Sequence, residues 1–174
     1  YMKNAESFSG AEYLDVSGVT DMTSMFAYFA YGTSSSAPSN IEDVPDVSRW
    51  NTANVTNMYG VFAEYGHYST SLKNAPDVSH WNTANVTDMY NLFSSYAQYC
   101  TELDFTLDLS GWNVGKVTVY AQMIKYAGQS AKIWEVTIPA KTNEKDNDSK
   151  HWYIGDGTDA TKYIEPDSTG VFTK

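Results

Sequence analysis

Two hydrophobic periods alternate along this chain. Apolar residues first recur at every second position, at Pro45/Val47, Pro76/Val78, Leu107/Leu109 and Ile138/Ala140, with polar residues between them. That is the spacing of a short half-buried strand, and proline at the first place suits a strand end rather than its middle. The spacing then changes to i, i+3, i+4, i+7: Met22, Met25, Phe26, Phe29; Met58, Val61, Phe62, Tyr65; Met89, Leu92, Phe93, Tyr96; Tyr120, Met123, Ile124, Ala127. Such a set lies on one face of an α-helix of about three turns. Thr56 and Thr87 stand where an N-cap hydroxyl accepts a first-turn amide, and Asp21 and Asp88 where a carboxylate meets the positive end of the helix dipole.

The two periods return together because the chain repeats. The segment from Asp46 to Tyr59, which carries Asp46-Val47-Ser48, Trp50-Asn51 and Val55-Thr56-Asn57-Met58, recurs as the segment from Asp77 to Tyr90. A looser copy follows at the same interval, beginning Asp108-Leu109-Ser110-Gly111-Trp112-Asn113. Another precedes them at Leu14-Asp15-Val16-Ser17-Gly18; it lacks the counterpart of Trp-Asn-Thr-Ala-Asn but regains the length in the stretch from Gly32 to Asn40. Ile41, Leu72, Leu103 and Trp134 mark one more recurring apolar position. One strand and one helix cannot bury their apolar faces alone, whereas stacked repeats share a continuous core. The expected architecture is therefore an α/β solenoid of four 31-residue strand-turn-helix repeats over residues 1–140. Residues 1–10 form an N-terminal cap or linker in this reading. Residues 141–174 form a charged loop and a small C-terminal β cap built from segments such as His151-Trp152-Tyr153-Ile154 and Val171-Phe172.

Composition narrows the function. Acidic residues outnumber basic ones 21 to 11, for a net charge of −10, which repels phosphate backbones and argues against nucleic acid. No apolar run reaches the length of a membrane span. The chain begins at Tyr1 and shows no signal segment, so it reads as a piece whose targeting signal lies elsewhere. A single cysteine, Cys100, excludes an internal disulfide framework. What stands out is 15% aromatic residues, with 14 tyrosines.

The Asp-x-Ser-x-Trp-Asn string joined to Val-Thr-(Asn/Asp)-Met-x-x-(Val/Leu/Met)-Phe, best seen in residues 46–62, 77–93 and 107–124, resembles the BspA-like bacterial surface protein repeat, also described as the DUF285 repeat, a divergent relative of leucine-rich repeats. The resemblance spans residues 13–140 and implies a right-handed leucine-rich-repeat-like solenoid. It also implies a secreted or surface-anchored bacterial protein without catalytic activity, engaged in adhesion to host extracellular proteins or to other cells. The family's familiar unit is shorter; here the join after the predicted helix is lengthened and rich in tyrosine, at Tyr65-Gly66-His67-Tyr68 and Tyr96-Ala97-Gln98-Tyr99-Cys100.

The residues themselves offer little catalytic chemistry. His67, His80 and His151 are isolated, His80 shares its slot with Arg49 and Gly111, and no phosphate loop or nucleophile elbow occurs. No cofactor or metal is expected. Asp15, Asp46, Asp77 and Asp108 would form a column of like charges about 4.8 Å apart, relieved by hydrogen bonds from the following Ser and backbone or, alternatively, by a bridging cation. Asp146-Asn147-Asp148 lacks the glycine and glutamate of a calcium loop and reads as a solvated loop. Trp50, Trp81 and Trp112 recur at one position and read as packing elements, each indole needing one fixed partner. The tyrosines remain: Tyr59 and Tyr90 follow the buried methionines and lie off the core stripe, Tyr68 and Tyr99 occupy the lengthened joins, and Tyr28 and Tyr31 extend these columns. Tyrosine brings large contact area and a hydroxyl at low entropic cost. The expected partner is an extracellular host or bacterial protein bound through these rings; a glycan-binding module and a structural spacer are the alternatives.

Overall fold

The computed structural model describes residues 5, 7–119, 122–138 and 171–173. The predicted cap over 141–174 thus lies outside the described residues apart from β3, as do Ala140, Asp146-Asn147-Asp148 and His151. Among the described residues three strands form one sheet: β1 (Asp104–Asp108) pairs in parallel with β2 (Ile133–Thr137), which pairs antiparallel with β3 (Val171–Thr173). A 3₁₀ turn spans Ala11–Tyr13.

The predicted helices do not form: no α-helix occurs among the described residues. In the first three of these segments every second amide is spent on the next repeat, and in the fourth Lys125 and Ala127 close turns on Gln122 and Ile124. Met22, Ser24, Phe26 and Tyr28 donate to the carbonyls of Asn57, Tyr59, Val61 and Ala63 at 2.8–2.9 Å. Met58, Gly60, Phe62 and Glu64 donate in turn to Asp88, Tyr90, Leu92 and Ser94 at 2.8–2.9 Å. Met89, Phe93 and Ser95 donate to Val119, Met123 and Lys125 at 2.7 Å. Several of the intervening amides close β-turns three residues back, as Met25 does to Met22 and Tyr65 to Phe62. An amide bonded to a neighbouring repeat cannot also bond four residues back, so the helical ladder is lost.

The turns bring residues with positive φ at the same three places in each repeat: Ser24, Tyr28, Ala30; Gly60, Glu64, Gly66; Asn91, Ser95, Ala97; Gln122, Tyr126, Gly128. The left-handed region costs a non-glycine residue about 1–2 kcal/mol. The regular hydrogen bonds between repeats offset that strain. The first two places are four residues apart, so residues 58, 61, 62 and 65 still face inward together, as they would on a helix; all four are fully buried. Met25 departs from this pattern. Placed by its spacing among the core positions, it is 40% exposed.

Strands also form in fewer places than the alternation predicts. The segments at Pro45/Val47 and Pro76/Val78 are not strands, and only isolated parallel bridges, such as Ser39 with Ser69 and Asn74 with Asp104, join these repeats there. Proline has no amide to give a ladder. Where the third repeat places Leu107 instead, β1 runs through it. The last strand, expected around Ile138, ends at Thr137.

Aromatic columns fill the interior. Phe26, Phe62 and Phe93 stack at 5.3 and 5.4 Å between centroids; Phe29, Tyr65 and Tyr96 at 5.5 and 5.6 Å. Trp50, Trp81 and Trp112 form a third column at 6.3 and 6.4 Å with nearly parallel planes. Each of these indoles donates to one carbonyl, of Ala11, Val47 and Val78 respectively, at 2.8–3.0 Å, so burial leaves no unpaired N–H. The hydroxyls of Tyr65 and Tyr96 reach the carbonyls of Asp43 and Asn74 at 2.8 Å.

Two measurements separate this arrangement from a helical one. The far-ultraviolet circular dichroism spectrum is expected to lack a helical double minimum, and finding one would overturn the turn-based description. Phe62→Ala should destabilise the fold by about 3–5 kcal/mol, whereas Met25→Ala should stay within about 0.5 kcal/mol; a large loss at Met25 in denaturant titration would contradict its exposed placement.

Candidate functional site: the tyrosine clusters

The same stacking that buries the phenylalanines gathers tyrosines on the outside. Tyr59 and Tyr90 form one pair, centroids 5.5 Å apart and planes within 14°; Tyr59 is exposed and Tyr90 half-buried. The Asn57 and Asp88 side chains accept the backbone amides of these tyrosines at 2.9 and 2.8 Å, which fixes the chain where the rings emerge. A second cluster joins Tyr28, Tyr31, Tyr68 and Tyr99 around His67. Tyr31 stacks on His67 at 5.0 Å, Tyr28 lies 5.8 Å from Tyr31, and Tyr68 stacks on Tyr99 at 4.6 Å. His67 meets Tyr68 and Tyr99 edge-on at 4.6 and 5.2 Å. The tyrosines of the lengthened joins therefore meet those of the first repeat, while Tyr59 and Tyr90 make a separate pair.

His67 looks isolated in the sequence, and its place here is what sequence reasoning missed. It is 8% exposed, and its Nε2 lies 2.9 Å from Gln98 Oε1. Gln98 Nε2 in turn donates to Gln129 Oε1 at 2.5 Å. With the Gln98 amide turned this way His67 Nε2 is the donor, and among the described residues the buried Nδ1 has no hydrogen-bond partner. The signal was present in the spacing: Gln98 and Gln129 follow His67 at successive intervals of the repeat. Burial, followed by the negative charge of Glu64, pushes the Tyr31 phenol above its ordinary range, and burial followed by Tyr68 does so for Tyr99. Gly32 makes room for the cluster: a Cβ there would stand 2.7 Å from Tyr68 Cβ and 2.9 Å from the Ser39 amide.

The remaining candidates occupy structural or solvent positions. Asp15, Asp46, Asp77 and Asp108 are exposed, and each accepts the amide two residues on, at 2.9–3.1 Å. Ser48 and Ser79 add their hydroxyls at 2.7 Å. The serine hydroxyl and then the serine amide hold Asp15, Asp46 and Asp108 below the usual carboxylate range. No group of three metal-ligating side chains occurs among the described residues. Thr56 and Thr87, expected as N-caps, instead donate their hydroxyls to the carbonyls of Thr20 and Thr56 in the preceding repeat, at 3.1 Å. Asp21 and Asp88, expected at helix starts, accept the amides of Thr23 and Tyr90 at 2.8 Å. Arg49, His80 and Gly111 are exposed. Cys100 is buried and gives its thiol to the Leu72 carbonyl at 3.2 Å; burial pushes that thiol up, away from the reactive thiolate.

With this geometry in view, residues 32–145 match the family described as Mycoplasma protein of unknown function, DUF285. The chain belongs to the DUF285 family. The match spans more than half of its length and takes in Tyr59, Tyr68, Tyr90 and Tyr99, while Tyr28 and Tyr31 lie before it. No curated protein and no solved structure matches the chain. Among the described residues no helix is long and apolar enough to cross a membrane.

Two outcomes follow from this geometry. Since the folded Asp46 carboxyl titrates below 3.8, its contribution to stability is complete above the unfolded value and disappears as pH falls through the lower, folded one. A carbon-detected NMR titration should show this midpoint, and a value at or above 3.8 would refute the hydrogen-bond account. Gly32→Ala should cost about 1–3 kcal/mol, since the backbone at Ser39 cannot turn aside as a side-chain tip would; unchanged thermal unfolding would show that the Tyr68 contact is not as close as described.

Proposed function

We propose that this DUF285 chain is a non-enzymatic recognition module, displayed outside the cell, that binds extracellular protein partners through its tyrosine clusters. The stacked repeats are taken as a solenoid of right-handed, leucine-rich-repeat kind. Its rigid rungs hold side chains at fixed spacing, so that contact area accumulates along one side. One observation carries the reading. The rings that hold the stack, Phe62, Phe93, Tyr65 and Tyr96, are fully buried, whereas Tyr31, Tyr68 and Tyr99 are drawn from three repeats into one cluster that stays part exposed. A surface of packed, partly open aromatic rings is what an interface uses for anchors, because each ring loses little freedom and excludes water from its neighbours.

A second reading rests on the Tyr59–Tyr90 stack, whose parallel rings offer an aromatic platform to a sugar. The two are separated by a panel of immobilised extracellular matrix proteins run beside a glycan array. Protein binding weakened at least tenfold by Tyr68→Ala with Tyr99→Ala is the expected result. Binding of soluble sugar that disappears on Tyr59→Ala with Tyr90→Ala would give the glycan reading the place. Silence on both panels would leave the module a spacer, and hydrolase or transferase activity in the purified chain would overturn the non-enzymatic reading.

A further inference from the structure

The tyrosine column of the lengthened joins stops one repeat early. Tyr68 and Tyr99 stack face to face at 4.6 Å, and the equivalent position in the next repeat is Ser130. Backbone pairing keeps that position in register, since the Tyr99 amide donates to the His67 carbonyl at 3.2 Å and the Ser130 amide to the Gln98 carbonyl at 3.0 Å. On the side of Tyr99 toward the next repeat, the equivalent position thus holds a hydroxymethyl group where the opposite side holds a ring, and the nearest phenol there, that of Tyr126, bears on Tyr99 only electrostatically. Among the described residues its ring contacts are with Tyr68 and His67 alone, and the side chain is 45% exposed. An aromatic face presents negative charge to whatever covers it.

Two features say what chemistry that face prefers. Within the adjoining repeat the chain already places a cation on a tyrosine, with Lys125 Nζ 5.0 Å from the centre of the Tyr126 ring. The surroundings are also anionic. The chain carries a net charge of −10, and Glu64 is close enough to bear on the Tyr31 phenol of the same cluster. Anionic lipid surfaces and a second copy of this acidic chain are repelled by that charge, while a basic segment is drawn to it.

We propose that the face of Tyr99 above Ser130 is a slot for an arginine or lysine side chain of a basic segment on the partner protein, held by a cation–π contact. This inference rests on the recognition reading above and specifies the residue type that the tyrosine cluster takes. Tyr68 backs the receiving ring, His67 braces its edge, and the short side chain of Ser130 leaves the opening. Arginine fits best, because its flat guanidinium can stack on the ring while its edges remain hydrated.

The test is isothermal titration of the whole chain with a hexapeptide of alternating arginine and glycine, its citrulline counterpart of equal shape without charge, and its glutamate counterpart. The arginine peptide should bind, and the citrulline and glutamate peptides should not. Tyr99→Leu, which keeps apolar volume but removes the ring, should weaken binding by about two- to thirtyfold, the range of one cation–π contact. Ser130→Tyr, which continues the column over the open face, should abolish it, while Tyr13→Leu, at an exposed ring outside both clusters, should leave it unchanged. Circular dichroism and thermal melting of each variant separate loss of binding from loss of fold. Binding of the arginine peptide that ignores Tyr99→Leu and Ser130→Tyr in folded variants would reduce the effect to general attraction by net charge and overturn the slot. Absence of peptide binding, with a matrix protein still held through Tyr68 and Tyr99, would overturn the slot and leave the recognition reading standing. Absence of both would remove the two together.

Discussion

Every second backbone amide in the segments following the first three Val-Thr pairs bonds to the neighbouring repeat rather than within its own. This assignment of donors governs the molecule. It forbids the α-helix, because the amides a helix needs are engaged elsewhere, and it fixes the repeats at hydrogen-bonding distance and in one register. It also requires the intervening residues to close tight turns, which places Ser24, Glu64, Ser95 and Tyr126 in a left-handed conformation normally left to glycine. The strain is tolerable because it is shared by a stack: removing one repeat would expose the carbonyls of its neighbour as well as its apolar face.

Register in turn explains the ordering of the side chains. When equivalent residues sit one above another, rings of the same kind can stack face to face, and the phenylalanine and tryptophan columns do so with planes nearly parallel. Polar groups follow the same rule. The Thr56 and Thr87 hydroxyls, the Asn54 and Asn85 amides and the indoles of the tryptophan column each satisfy a carbonyl of another repeat. The aspartate column avoids mutual repulsion by a local means: each carboxylate is exposed to water and accepts the amide two residues ahead. Equivalent positions thus carry the structural load, and the candidate site arises where equivalence breaks, at Tyr31, His67, Gln98 and Gln129 in one column and at Gly32, Tyr68, Tyr99 and Ser130 in the next.

The breaks were only partly legible beforehand. The tyrosine excess and its concentration in the lengthened joins could be read from spacing, as could the recurrence of Tyr68 at Tyr99. That the Tyr31 and His67 rings stack, and that Tyr59 and Tyr90 stand apart from the others, could not. Here the first repeat is offset from the second by more than the regular period, as the side-chain bond and parallel bridge between Asp21 and Asn57 show. The shortened first copy, which aligns Met22 with Met58, sets Tyr31 at the position of His67. That their rings stack is decided by the paired backbones.

The sequence by itself determined the repeat, its length, the inward-facing residues apart from Met25, and the family, because hydrophobic spacing records which side chains must share a face and identical strings record which positions are equivalent. Tertiary structure alone decided how the backbone satisfies that demand. A period of four residues between left-handed turn positions and a period of 3.6 in a helix put nearly the same residues on the inner side. The pattern of apolar residues cannot tell them apart; the choice rests on where the amide hydrogens go, and a neighbouring repeat at hydrogen-bonding distance takes them.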